Sequence, residues 1–100
     1  MSIRANVLAE ASRLVEGERD NEYGAPYENY KRVAILWSAL VGTKITPQQA
    51  SLMMCALKLD RAWHNPSHRD SYVDLAGYAA IGRECAIMDH TYAVAKTVPN

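Results

Sequence analysis

Thr46-Pro47-Gln48-Gln49-Ala50-Ser51-Leu52-Met53-Met54-Cys55-Ala56-Leu57-Lys58-Leu59-Asp60-Arg61-Ala62-Trp63 is the stretch that decides the fold class. The Thr46 hydroxyl can accept from the third helical amide while Gln49 reaches back to the Thr46 amide, which satisfies two orphan donors of a helix start. Pro47 loses no helical bond at the first position. The run then carries Ala50, Leu52, Met53, Met54, Ala56, Leu57 and Leu59 around most of its circumference, which predicts a helix from Pro47 to about Trp63 and makes it the most buried in the protein. His64-Asn65-Pro66 ends it.

Working outward, Pro26 can open a preceding helix in which Tyr30, Val33, Ala34, Trp37, Leu40 and Val41 repeat helically until Gly42 stops them. Trp37 and Trp63 fall on apolar faces and are expected in the core. Nearer the N-terminus, Val7, Leu8, Ala11, Leu14 and Val15 form a one-sided helix over residues 2–16, with Ser2 as cap and Gly17 as stop. The polar run from Glu18 to Pro26 reads as a loop. After His64-Asn65-Pro66, Ser67 or Asp70 can cap a fourth helix whose Val73, Ala76, Gly77, Ala80, Ile81 and Met88 form a stripe of mostly small residues, ending near Tyr92. No strand-like alternation and no internal repeat is present. The expected fold is therefore all-α: a compact four-helix bundle in one domain, residues 1–95, with a tail at 96–100.

Composition narrows the function classes. Eleven basic residues balance eleven acidic ones, so the broad positive field needed to bind polymeric nucleic acid is missing. At 100 residues the core is modest, and oligomerisation through apolar helix faces is the expected source of further burial. Cys55 and Cys85 sit in apolar runs without disulfide or zinc spacing, which points to a reduced, cytoplasmic setting. No segment approaches the ~20 apolar residues of a membrane span. A homo-oligomer with no membrane partner is expected.

Several residues could carry chemistry. Asp70 and Asp74, four apart, share one helix face, the spacing of two carboxylates holding a divalent cation or pairing with a basic side chain. Lys58 and Arg61 supply that alternative from the third helix. A cluster of both signs suits a phosphate ester, cations facing phosphate oxygens and carboxylates taking Mg²⁺ or sugar hydroxyls. His68 and Arg69 precede the fourth helix, where free amides can help hold an anion. Glu28 stands four residues before Arg32 and can form a simple helical pair with it. Tyr23, Tyr27 and Tyr30 surround the Gly24-Ala25-Pro26 turn and can stack a base or staple the loop to the bundle. No nucleophile with its base, no phosphate-binding glycine loop and no helix-turn-helix reader is seen.

Taken together, Tyr23-Gly24-Ala25-Pro26-Tyr27-Glu28-Asn29, Leu36-Trp37-Ser38, Ile45-Thr46-Pro47, Lys58-Leu59-Asp60-Arg61 and Asp70-Ser71-Tyr72-Val73-Asp74-Leu75-Ala76-Gly77-Tyr78 resemble a family of small phage and prophage proteins. That family is related to the MazG-like all-α nucleoside triphosphate pyrophosphohydrolases, and the resemblance runs over roughly residues 5 to 88. It implies that Asp74 matches the aspartate of the superfamily's Glu-x-x-Asp metal motif. Ser71 stands where that motif has glutamate, Asp70 is one position off, and Glu28 lacks a companion acid. Fewer carboxylates imply weaker Mg²⁺ holding.

Two functions follow from the resemblance. One is a phage-type protein that binds and sequesters a phosphorylated nucleotide, such as a host immune signalling nucleotide, in a pocket at a subunit interface. Its ligand-binding residues would be Tyr23, Tyr27, Lys58, Arg61, His68, Arg69, Asp70 and Asp74. The alternative is a Mg²⁺-dependent pyrophosphohydrolase, converting a nucleoside triphosphate to monophosphate and pyrophosphate, with Glu28, Asp70 and Asp74 as metal ligands and no clear general base. Either would act in the cytoplasm of an infected or lysogenic bacterial host. A helical interaction module with purely structural charges is the third reading.

Overall fold

A computed structural model describes residues 2–18 and 25–97, with side chains placed over 2–17 and 25–91. Within these residues the chain is helical with no strand. Four α-helices follow in order: α1 (Ile3–Arg13), α2 (Pro26–Val41), α3 (Pro47–His64) and α4 (Arg69–Thr97).

The start and stop signals act as their local chemistry dictates. Ser2 accepts from the Ala5 amide at 3.1 Å and caps α1. At α3, the Gln49 amide donates to Thr46 Oγ1 at 3.1 Å and the Thr46 amide donates to Gln49 Oε1 at 3.0 Å, completing the reciprocal cap. Gly42 ends α2 in the left-handed region at φ 76°, a conformation that costs glycine nothing. The α2–α3 connection is then fixed by Ser38, whose hydroxyl accepts from the Ile45 amide at 2.8 Å and donates to the Ala34 carbonyl at 2.6 Å.

Other expectations are corrected. Gly17 does not stop the first helix: the α-helical ladder ends at Arg13 and widens into a π-helical stretch, Leu14–Glu18, that includes Gly17. The fourth helix does not end near Tyr92 but runs to Thr97, so Lys96 continues the helix rather than opening a tail. Neither Ser67 nor Asp70 caps it. Asp70 lies inside its first turn, and the Ser67 hydroxyl donates to Asn65 Oδ1 at 3.2 Å instead.

α3 and α4 form an antiparallel hairpin whose register is set by three contacts. Ser51 Oγ donates to the Tyr78 carbonyl at 2.6 Å, Cys55 Sγ donates to the Leu75 carbonyl at 3.9 Å, and Lys58 pairs with Asp74 at 3.0 Å. Around this seam the core gathers Tyr27, Tyr30, Ala50, Cys55, Tyr78, Ile81 and Cys85, with Val33, Trp37, Met54 and Leu75 packed against it. α1 and its π-helical extension lie along α4, where Val15 Cγ1 sits 3.3 Å from the position a side chain on Gly77 would occupy. Val73, Gly77 and Ile81 are the part of the small-residue stripe that is buried, whereas Ala80 and Met88 face outward. Cys55 and Cys85 are buried free thiols.

The greatest departure concerns α3. It is not the most buried helix: only Ala50, Ser51 and Cys55 are fully covered, while Leu52, Met53, Leu57 and Leu59 are exposed. Trp63 is not core either, at 85% exposure. An apolar circumference buries a helix only when neighbours surround it, and here α3 has α4 on one side and α2 on part of another.

Candidate functional site

Because the α3–α4 hairpin is antiparallel, each helical turn toward its connection brings a new pair of positions level. Lys58 and Asp74 occupy one such level, their side chains 16% and 19% exposed. Leu59 and Trp63 are exposed, whereas Lys58 lies on the same flank of α3 as Ser51 and Cys55, the two residues that bond to α4 carbonyls. The next turn brings Arg61 level with Asp70, as the register of the three preceding contacts requires. Both are exposed, and no ion pair is recorded for either among the described residues. The connected end of the hairpin thus presents two cations from α3 and two carboxylates from α4, Lys58 and Asp74 closed and half-buried, Arg61 and Asp70 open to water.

The remaining sequence-derived candidates are distributed elsewhere. Arg69 reaches toward α1, donating to the Asn6 carbonyl at 3.4 Å, and its charge adds to the effect of Arg13 in holding the Glu10 carboxyl below its ordinary range. Together with Arg4, Ile3, Val7 and Tyr72 it lines a broad groove between α1 and the α3–α4 connection. His68 sits at the entry to α4, its Nδ1 2.9 Å from the hydroxyl of buried Ser71. Glu28 pairs with Lys31 at 3.0 Å on the surface of α2. Tyr23 lies outside the described residues.

Tyr27 staples. Its hydroxyl donates to Asp89 Oδ1 at 2.8 Å, and burial, followed by that hydrogen bond, pushes the phenol up to about 12. Asp89 lies fifteen residues beyond Asp74 on the same helix, a separation of about 22 Å along its axis. Tyr27 therefore does not share a pocket with Asp74 of its own chain. Among the described residues no three carboxylate, histidine or cysteine side chains come together closely enough to hold a metal ion.

Sequence reasoning missed Asp89. Its partner Tyr27 is 62 positions away, and no local spacing announces the pair. It also missed the groove beside that pair, lined by Lys31, Ala34, Ile35, Lys44, Ile45 and Pro47, where Lys31 Nζ lies 5.1 Å from the centre of the Tyr27 ring. No helix among the described residues is long and apolar enough to cross a membrane.

Comparison with known proteins places this arrangement in a lineage. Over 77 residues the chain is 39% identical to the Gene 55 protein of Mycobacterium phage L5, an alignment covering 76% of this chain and 49% of that protein. It is 40% identical over 74 residues to the Gene 55 protein of Mycobacterium phage D29, covering 74% and 49%. The chain thus spans about half the length of these curated relatives. No solved structure matches it. Residues 6–86, which include every candidate position from Tyr23 to Asp74 but exclude Asp89, match the family described as Domain of unknown function (DUF6378), and with that share of its length covered the chain belongs to this family of which phage proteins are its relatives.

Proposed function

We propose that this chain binds and sequesters a phosphorylated nucleotide at the connected end of the α3–α4 hairpin, in a pocket that a second copy of the chain completes. The observation that carries the reading is the pairing of half-buried Lys58 and Asp74 beside exposed Arg61 and Asp70. A guanidinium without a fixed partner, next to an ammonium already held in place, offers phosphate oxygens a bidentate fork and a fixed charge at once. Asp70 supplies an acceptor for a ribose hydroxyl or a base amine. Relatedness to the MazG-like enzymes, and action in the cytoplasm of an infected or lysogenic bacterium, are parts of the same proposal. The phage origin of the relatives supports the second.

A second reading, Mg²⁺-dependent pyrophosphohydrolysis, is favoured by the one-turn spacing of Asp70 and Asp74 on α4. Sequestration ranks first because Asp74 is already neutralised by Lys58 at 3.0 Å, so a metal ion would have to displace that ammonium. Incubating the protein with a panel of nucleotides and Mg²⁺, reisolating it and denaturing it separates the readings. Intact nucleotide released from the protein supports sequestration. Monophosphate and pyrophosphate support the enzyme, and no retained or converted nucleotide removes both.

A further inference from the structure

We infer that the groove between α1 and the α3–α4 connection is a binding site for a small organic anion, one with an apolar ring-sized body and an oxyanion (phosphate, carboxylate or sulfonate) at one end. Neither Lys58, Arg61, Asp70 nor Asp74 lines it, so the inference does not rest on the nucleotide reading.

The groove has a volume of about 760 Å³, within the roughly 300 to 1,000 Å³ of small-molecule sites. Its walls are of two kinds. Ile3, Leu8, Pro66 and Tyr72 supply apolar surface, with Ile3 85% and Leu8 62% exposed. Arg4 from α1 and Arg69 from α4 supply charge, and no carboxylate lines the groove. Because the Tyr72 hydroxyl donates to the Pro66 carbonyl at 2.8 Å, the ring is held in place before anything binds.

The two arginines decide what fits. Each stands in the first turn of its helix, where the positive end of the peptide dipoles disfavours a cation. Neighbouring acids do not offset them. Glu10 senses the charge of Arg69, but hydrogen bonds at 3.0 and 2.8 Å commit its carboxylate to Arg13. Arg69 donates to the Asn6 carbonyl at 3.4 Å, a long hydrogen bond, and for Arg4 no hydrogen bond or ion pair is recorded among the described residues. With the whole chain at a net charge of zero, the groove is a local positive excess. A purely apolar occupant would strip water from both guanidinium groups and give them no partner. Inorganic phosphate alone would leave Ile3, Leu8 and Tyr72 in water. An anion with an apolar body satisfies both walls, its oxygens taking the paired N–H donors of a guanidinium.

The test is fluorescence titration of the whole chain with anilinonaphthalene sulfonate, an aromatic anion, beside phenylnaphthylamine, the same ring system without the charge. Arg4→Gln and Arg69→Gln should each weaken the sulfonate by about tenfold, the loss of a charge-assisted hydrogen bond, and leave the neutral dye unchanged. Should Arg69→Gln loosen α1 by losing the Asn6 contact, which helical circular dichroism reads, Arg4→Gln decides alone. Leu8→Ser should weaken both dyes. Leu40→Ser, in the groove between α2 and α3, and Arg61→Ala should weaken neither. Absence of sulfonate binding, wild-type affinity in Arg4→Gln, or a loss in Leu40→Ser instead would each overturn the assignment. So would an affinity that falls as the chain is concentrated into a dimer, because a second copy would then cover the groove. Nucleotide retention is scored separately on the same variants: sulfonate bound at this groove without retained nucleotide removes the nucleotide reading and leaves this site standing, and the converse removes this site alone.

Discussion

At Asp74 a carboxylate is held between two helices with Lys58 within bonding distance, and both side chains have lost most of their water. Such a pair lies between two regimes. An exposed ion pair contributes about 0 to 1 kcal/mol, while removing one partner of a fully buried pair costs about 3 to 5 kcal/mol. Asp74→Asn should accordingly lower unfolding stability by about 1 to 3 kcal/mol, because Lys58 keeps its charge and loses its carboxylate. Asp70→Asn, one turn away and exposed, should change stability by less than about 0.5 kcal/mol. Urea denaturation of the two variants, without added metal, measures the difference. Equal losses in both would show that the two aspartates are held alike and would contradict the split between a closed and an open pair.

Among the elements, α3 depends most on its start. Its first turn is ordered by reciprocal hydrogen bonds between Thr46 and Gln49, and Ser38 ties the preceding loop to α2. Since only a narrow strip of α3 is buried within the chain, the cap carries more of the helix's stability than it would in a fully enclosed helix. Thr46→Ala should cost about 1 kcal/mol, and Thr46→Ser should recover most of it because the accepting oxygen returns. Thermal melts of the two variants beside wild type check this. No loss in the alanine variant would mean that tertiary contacts alone hold the first turn.

For the whole molecule, alkaline pH tests how tightly α2 closes on α4. Burial, with the hydrogen bond to Asp89 adding to it, raises Tyr27 from its ordinary 10.0 to about 12. Burial, with the charges of Asp89 and Glu84 adding to it, raises Cys85 from 9.0 to about 11. In each case the folded chain keeps a proton that the unfolded chain releases, so stability falls as pH rises. The contribution is complete below about pH 9 and is lost first through the Cys85 window, 9 to 11, and then through the Tyr27 window, 10 to 12. Tyr27→Phe should be less stable at neutral pH by about 1 to 3 kcal/mol, since Asp89 loses its donor, yet decline less steeply above pH 10. Urea midpoints taken from pH 8 upward read both effects. Identical slopes in wild type and Tyr27→Phe would show that the phenol is not held in its protonated form by the fold.

What the sequence by itself determined are features written within a few residues of one another. The caps at Ser2 and Thr46, the stop at Gly42, the prolines that open two helices and the helical period between them depend on hydrogen bonds spanning three or four positions, so neighbouring residues settle them. The same reach explains why Lys58, Arg61, Asp70 and Asp74 could be singled out as a mixed-charge group: two helices joined by a short connection have little choice but to lie side by side. Only the tertiary structure decided which of those charges is closed and which is open, because that depends on the rotation of α3 against α4. It also decided that Tyr27 belongs to Asp89, that Arg69 turns to α1, and that Trp63 faces water. An apolar residue on a helix declares that it can be buried, not against what. Among the described residues, apolar side chains such as Leu40, Leu59 and Trp63 stay exposed, and which of them do so is set by how the helices cross.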